Sequence, residues 1–156
     1  MYSSVHSVRR AAHVMMVVAA VSFASACNDD DPVEPEDEPE VQTMTLTAGA
    51  NSITIDKTTG AASGALTIPS GATTITATFK KPDGTAETRV TGTEFDVRIV
   101  PASGTAFTWT PNTNLGGTLV TSGVTSGQTI NATVDLFHRA EGHADFGPYN
   151  FQLRIQ

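Results

Sequence analysis

Residues 42–156 predict an all-β fold, an antiparallel sandwich of about seven to nine short strands, on three observations. This stretch holds 24 threonines, eight aromatics and all 13 glycines of the chain. β-branched and aromatic side chains favour a pleated surface, and glycines punctuate turns. Apolar residues alternate with polar ones in run after run, the period of a half-buried strand. No stretch of ten or more residues carries a 3.6-residue apolar period free of Gly or Pro. Crossover helices are therefore not expected, and parallel α/β architectures go with them. A closed small barrel is the alternative that the same strands allow.

Each element has its own inward set. Met44 and Leu46 open the series, followed by Ile53 and Ile55, then Leu66 and Ile68. Ile75, Ala77 and Phe79 form the fourth set; Phe95, Val97 and Ile99 the fifth; Phe107 and Trp109 the sixth; Leu119 marks the seventh. Ile130, Ala132, Val134 and Leu136 make the eighth, and Tyr149, Phe151, Leu153 and Ile155 the last. Threonine or another polar residue usually sits between them. Turns are signalled at Ala48-Gly49-Ala50-Asn51, Lys81-Pro82-Asp83-Gly84, Asn114-Leu115-Gly116-Gly117 and Ser126-Gly127. Phe107 and Trp109 share one face and are expected in the core; an exposed aromatic strip that stacks on sugars is the other reading.

At 156 residues the chain has room for one ordinary domain with a tail, which excludes large multidomain enzymes. A single cysteine excludes an internal disulfide framework and a cysteine-based zinc site. The net charge of −7 argues against nucleic acid as a partner. That charge is not spread evenly. Residues 1–26 hold two bases and no acid, residues 27–41 eight acids and no base, and residues 42–156 seven bases and eight acids. The folded part is nearly neutral.

Residues 1–26 read as a signal peptide. Arg9 and Arg10 give a positive start, residues 11–23 are mostly apolar, and Ala24-Ser25-Ala26 are small. The apolar run is too short for a permanent span, which needs ~20 residues. Arg9-Arg10 lacks the Phe-Leu pair of a twin-arginine signal, so the general secretory route is expected.

Ala24-Ser25-Ala26-Cys27 resembles the lipobox of bacterial lipoproteins, departing from it at Ala24, where Leu is usual. The same tripeptide fits the A-x-A rule of ordinary signal peptidase, which would release a soluble protein. The only cysteine of the chain stands where lipidation would use it. The resemblance implies that Cys27 carries the lipid and anchors the protein in the cell envelope. Asn28 lacks the Asp that favours inner-membrane retention, which points to the outer membrane. Residues 27–41 then form a tether. The like charges of residues 28–40 repel, their prolines favour extended backbone, and their one apolar side chain besides proline, Val33, cannot drive folding.

Ser70-Gly71-Ala72-Thr73-Thr74-Ile75 and Ser126-Gly127-Gln128-Thr129-Ile130 begin two similar segments, each entering a strand from a Ser-Gly turn. Convergent strand chemistry explains this; strands in equivalent places of two similar halves are the alternative. With Phe107-Thr108-Trp109-Thr110-Pro111 they resemble the bacterial Ig-like domains of surface proteins. That resemblance implies an Ig-like sandwich with a binding or spacer role, whose partner is an envelope protein or a glycan.

Chemistry is sparse. No nucleophile elbow, metalloprotease motif, P-loop or dinucleotide fingerprint occurs, and no catalytic residue or organic cofactor is expected. One cluster stands out. His138, Glu141, His143 and Asp145 offer two imidazoles and two carboxylates, a ligand set for Zn²⁺ or Cu²⁺. The competing reading is a hairpin loop bent by Gly142, Gly147 and Pro148, with solvated side chains. Arg139 within the cluster would oppose a cation. The sequence therefore predicts a non-catalytic envelope lipoprotein acting in adhesion, scaffolding or ligand binding, with metal binding at residues 138–145 as the alternative.

Overall fold

A computed structural model describes residues 38–104 and 106–156. The expected signal peptide, Cys27 and most of the tether lie outside the described residues. Nine strands follow in order: β1 Thr43–Ala48, β2 Asn51–Asp56, β3 Ala65–Ile68, β4 Ala72–Lys80, β5 Phe95–Pro101, β6 Phe107–Asn112, β7 Gly116–Thr121, β8 Thr129–His138 and β9 His143–Ile155. Every predicted apolar set falls on one of them, and the described residues contain no helix.

The strands form two separate sheets, β2-β1-β4-β7-β6 and β3-β9-β8-β5, so the barrel alternative is excluded. The order β1-β4-β7-β6 against β5-β8-β9 is that of the immunoglobulin sandwich, four strands facing three. β2 extends the first sheet as a hairpin on β1, with Gly49 at φ 59° in the first central position of a two-residue turn. β3 extends the second.

The sandwich is not wholly antiparallel. β3 runs parallel to β9, pairing Leu66 with Leu153 and Ile68 with Ile155. The chain crosses from β2 to the other sheet and meets the outer edge of β9 in the same direction. Pairing there covers an edge that would otherwise present open backbone groups.

The core collects inward side chains from all nine strands, with Phe95, Phe146, Met44 and Leu136 among the largest. Val41, at the end of the predicted tether, belongs to it at 2% exposure. Packing therefore begins before β1. The similar segments β4 and β8 are inner strands of opposite sheets, each entered through a glycine at positive φ, Gly71 at 92° and Gly127 at 85°. Gly116 and Gly117, read as part of a turn, lie inside β7. A Cβ on Gly117 would meet the Trp109 ring at 2.6 Å, so the glycine makes room for the indole. Trp109 is half-buried against the core, and its Nε1 donates to the Val97 carbonyl at 2.9 Å, tying β6 to β5 across the two sheets.

Candidate metal centre

The β8–β9 hairpin is tighter than expected. Its turn spans only residues 139–142, closed by Gly142 N donating to the His138 carbonyl at 2.9 Å, with Gly142 at φ 73°. His138 ends β8, while His143 and Asp145 belong to β9; only Glu141 is on the turn. Half of the expected 138–145 loop is thus strand. Gly147 and Pro148 do not bend a loop either; they sit within β9.

They lie in a β-bulge. Pairing runs Val134↔Tyr149, Leu136↔Phe146 and Phe137↔Ala144, so β9 carries extra residues against β8 in two successive steps. Gly147, at φ 90°, passes so close to β8 that an added Cβ would meet the Val134 carbonyl oxygen at 2.6 Å. Asp145 is left without a partner between Ala144 and Phe146. A bulge re-aims the side chain of its extra residue. Here it directs Asp145 into the sandwich end, where its side chain is 6% exposed.

All four predicted ligand residues meet there. His143 Nε2 lies 2.9 Å from Asp145 Oδ1 and 3.2 Å from Glu141 Oε2. His138 Nδ1 lies 3.5 Å from Glu141 Oε2 and 3.7 Å from Asp145 Oδ2. The His138 ring packs on Phe95 with centroids 4.5 Å apart, which fixes its plane.

None of these approaches satisfies the buried atoms as hydrogen bonds. Both carboxylate oxygens of Asp145 and the Nδ1 of His138 are buried without a hydrogen-bond partner. Buried polar atoms are otherwise nearly always paired, and a buried carboxylate most of all. A cation shared by these groups would supply the partner that the buried atoms lack. Ligands at about 2.0–2.2 Å from a tetrahedral zinc stand about 3.3–3.6 Å from one another. One ligand atom each of His138, Glu141 and Asp145 lie within 4.8 Å of one another, while the His138 and His143 ring centroids are 6.3 Å apart.

The positive charge expected to oppose a cation is directed elsewhere. Arg139 Nε and Nη2 donate to Asp96 on β5, and Nη1 donates to the carbonyls of Gly92 and Thr93. Lys57 donates to the backbone carbonyl of Asp145 at 3.3 Å.

The donors form two overlapping triads, His138, Glu141 and Asp145 toward the interior and Glu38, Glu141 and His143 on the surface. Glu38 is the one member that sequence reasoning missed. It lies in the acidic tract, where charge repulsion and prolines signal only an extended chain. Its place is set by contacts that no local pattern announces: Glu40 N donates to Glu87 Oε2 at 2.9 Å, Gln42 N to the Lys80 carbonyl at 2.8 Å, and Val41 is buried.

An open cleft lined by Ser103, Ser122, Gln128 and Asn131 lies at the other end of β8 and contains none of these donors. No protein-family model, curated protein or solved structure matches the chain.

Proposed function

We propose that the protein is a non-catalytic envelope lipoprotein whose Ig-like sandwich binds a divalent transition-metal ion, Zn²⁺ or Cu²⁺, through His138, Glu141, His143 and Asp145. The observation that carries the metal reading is the buried Asp145 carboxylate, which no donor satisfies and which two imidazoles approach. Two nitrogen and two carboxylate ligands suit these ions better than Ca²⁺ or Mg²⁺, which favour all-oxygen sets. His143 and Glu141 keep side-chain exposures of 51% and 41%, an open path for an ion from solvent. The work of such a site is metal acquisition or buffering at a membrane surface.

The envelope reading is supported by the order of basic start, apolar run, small residues and the sole cysteine in residues 1–27. Two or more acyl chains on Cys27 would anchor the protein stably, where one chain would not. Adhesion or scaffolding on an envelope protein or glycan is the broader role the same display allows.

Calorimetric titration of the chain from residue 27 onward, carrying Cys27→Ser, tests the metal. Saturable one-site binding of Zn²⁺ or Cu²⁺ that His143→Ala weakens is expected, and no heat with either ion overturns the reading. Expression of the full chain with Cys27→Ser tests the anchor separately. The variant should move from the detergent phase to the aqueous phase, and unchanged membrane retention would refute lipidation.

A further inference from the structure

We propose that Glu38 is a metal ligand supplied from the N-terminal segment, so that a bound ion clamps the entry of the domain onto the β8–β9 hairpin. The inference rests on the metal reading above and extends it to a residue outside the hairpin. Glu38, Glu141 and His143 each bring one ligand atom within 4.8 Å of the other two, and all three residues are exposed. Glu141 also belongs to the interior triad with His138 and Asp145. Glu141 is thus the residue that links the surface carboxylate of Glu38 to the group holding the buried Asp145.

The approach of Glu38 is prepared by its neighbours. Val41 N donates to the Pro39 carbonyl at 3.1 Å, Glu40 N donates to the buried Glu87, and Val41 fills the core. Three residues from Glu38 the chain is thus already fixed, and little backbone freedom remains to be lost when its carboxylate binds. The three contributors come from opposite ends of the domain's sequence. A metal link between them closes a long loop, the situation in which a clip stabilises most. Without the ion, Glu38 and Glu141 are two like charges side by side, which favours release of the segment.

The test compares the chain from residue 27, carrying Cys27→Ser, with and without Glu38→Gln. Zinc affinity by calorimetry should fall at least by the roughly tenfold typical of losing even an outer-shell partner. Hydrogen exchange at the amides of Glu38, Glu40 and Val41 should slow on adding zinc to the parent and stay unchanged in Glu38→Gln. Equal zinc affinity in the two proteins, or the same zinc-induced protection in both, overturns the clamp while leaving the hairpin site intact. Absence of zinc binding by the parent overturns the site itself, and the clamp with it.

Discussion

Asp145 Oδ1 stands 2.9 Å from His143 Nε2, yet that oxygen accepts no hydrogen bond, and neither does its partner oxygen. A carboxylate in such a place lowers the stability of the metal-free protein. An unsatisfied buried polar group costs about 1–3 kcal/mol, more when charged. Asp145→Asn keeps the shape, removes the charge and adds a donor. The metal-free variant should melt a few degrees above the parent, since ~1 kcal/mol moves the midpoint of a domain this size by about 4 °C. The rise in midpoint that zinc gives the parent should disappear in the variant. Differential scanning calorimetry with and without zinc checks both signs.

Gly147 holds the bulge open. At φ 90°, with the Val134 carbonyl oxygen 2.6 Å from where a Cβ would stand, it has no room for a side chain. Gly147→Ala should cost about 3 kcal/mol, from the strained φ and the displaced backbone together. Urea unfolding measures the loss. Gly142→Ala is the control: its φ is 73° but nothing lies within 4 Å of the added Cβ, so its loss should be smaller.

Glu87 gives the domain an acid-sensitive anchor. Hydrogen bonds from the Arg89 side chain, then from the Arg89 and Glu40 amides, hold its carboxyl down at about 2 against burial, which acts the other way. The folded value lies below the ordinary 4.5. Its contribution is therefore complete above pH ~4.5 and is lost as pH falls toward 2. Glu87→Gln should reduce stability at pH 7 and flatten the pH dependence between those values. Equilibrium unfolding at pH 7, 4 and 3 reads both effects. Unchanged slopes for parent and variant would remove Glu87 as the cause.

Trp109 ties the sheets rather than offering a platform. Its Nε1 reaches the Val97 carbonyl and its ring covers Gly117. Trp109 is half-buried rather than in the core, so Trp109→Ala should cost about 2–3 kcal/mol, below the ~3–5 kcal/mol usual for a fully buried aromatic. Trp109→Phe keeps much of the packing and should lose about 1 kcal/mol for the hydrogen bond. Chemical unfolding followed by circular dichroism gives both values. Blue-shifted native fluorescence of the parent is expected as well. A Trp109→Ala protein as stable as the parent would return the ring to the solvent and revive sugar stacking.

The nine inward sets were legible in the sequence because a half-buried strand writes its face every second residue, and this chain fills most of the other face with threonine or another polar residue. The metal-ligand residues were legible as a group for a similar reason, being crowded into eight positions. Tertiary structure decided what short-range pattern could not carry. The parallel pairing of β3 with β9 joins strands from the two ends of the domain. The register shift between Phe146 and Ala144 turns Asp145 inward, although strict alternation beside the buried Phe146 would send it out. Arg139 faces Asp96 because β5 lies beside β8, a neighbour its own segment does not contain. Glu38 reaches Glu141 only because Val41 is buried and Glu87 holds the amide of Glu40. Alternation is a property of one strand and can be read along it, whereas edges, bulges and convergent side chains depend on which distant segments the core brings together.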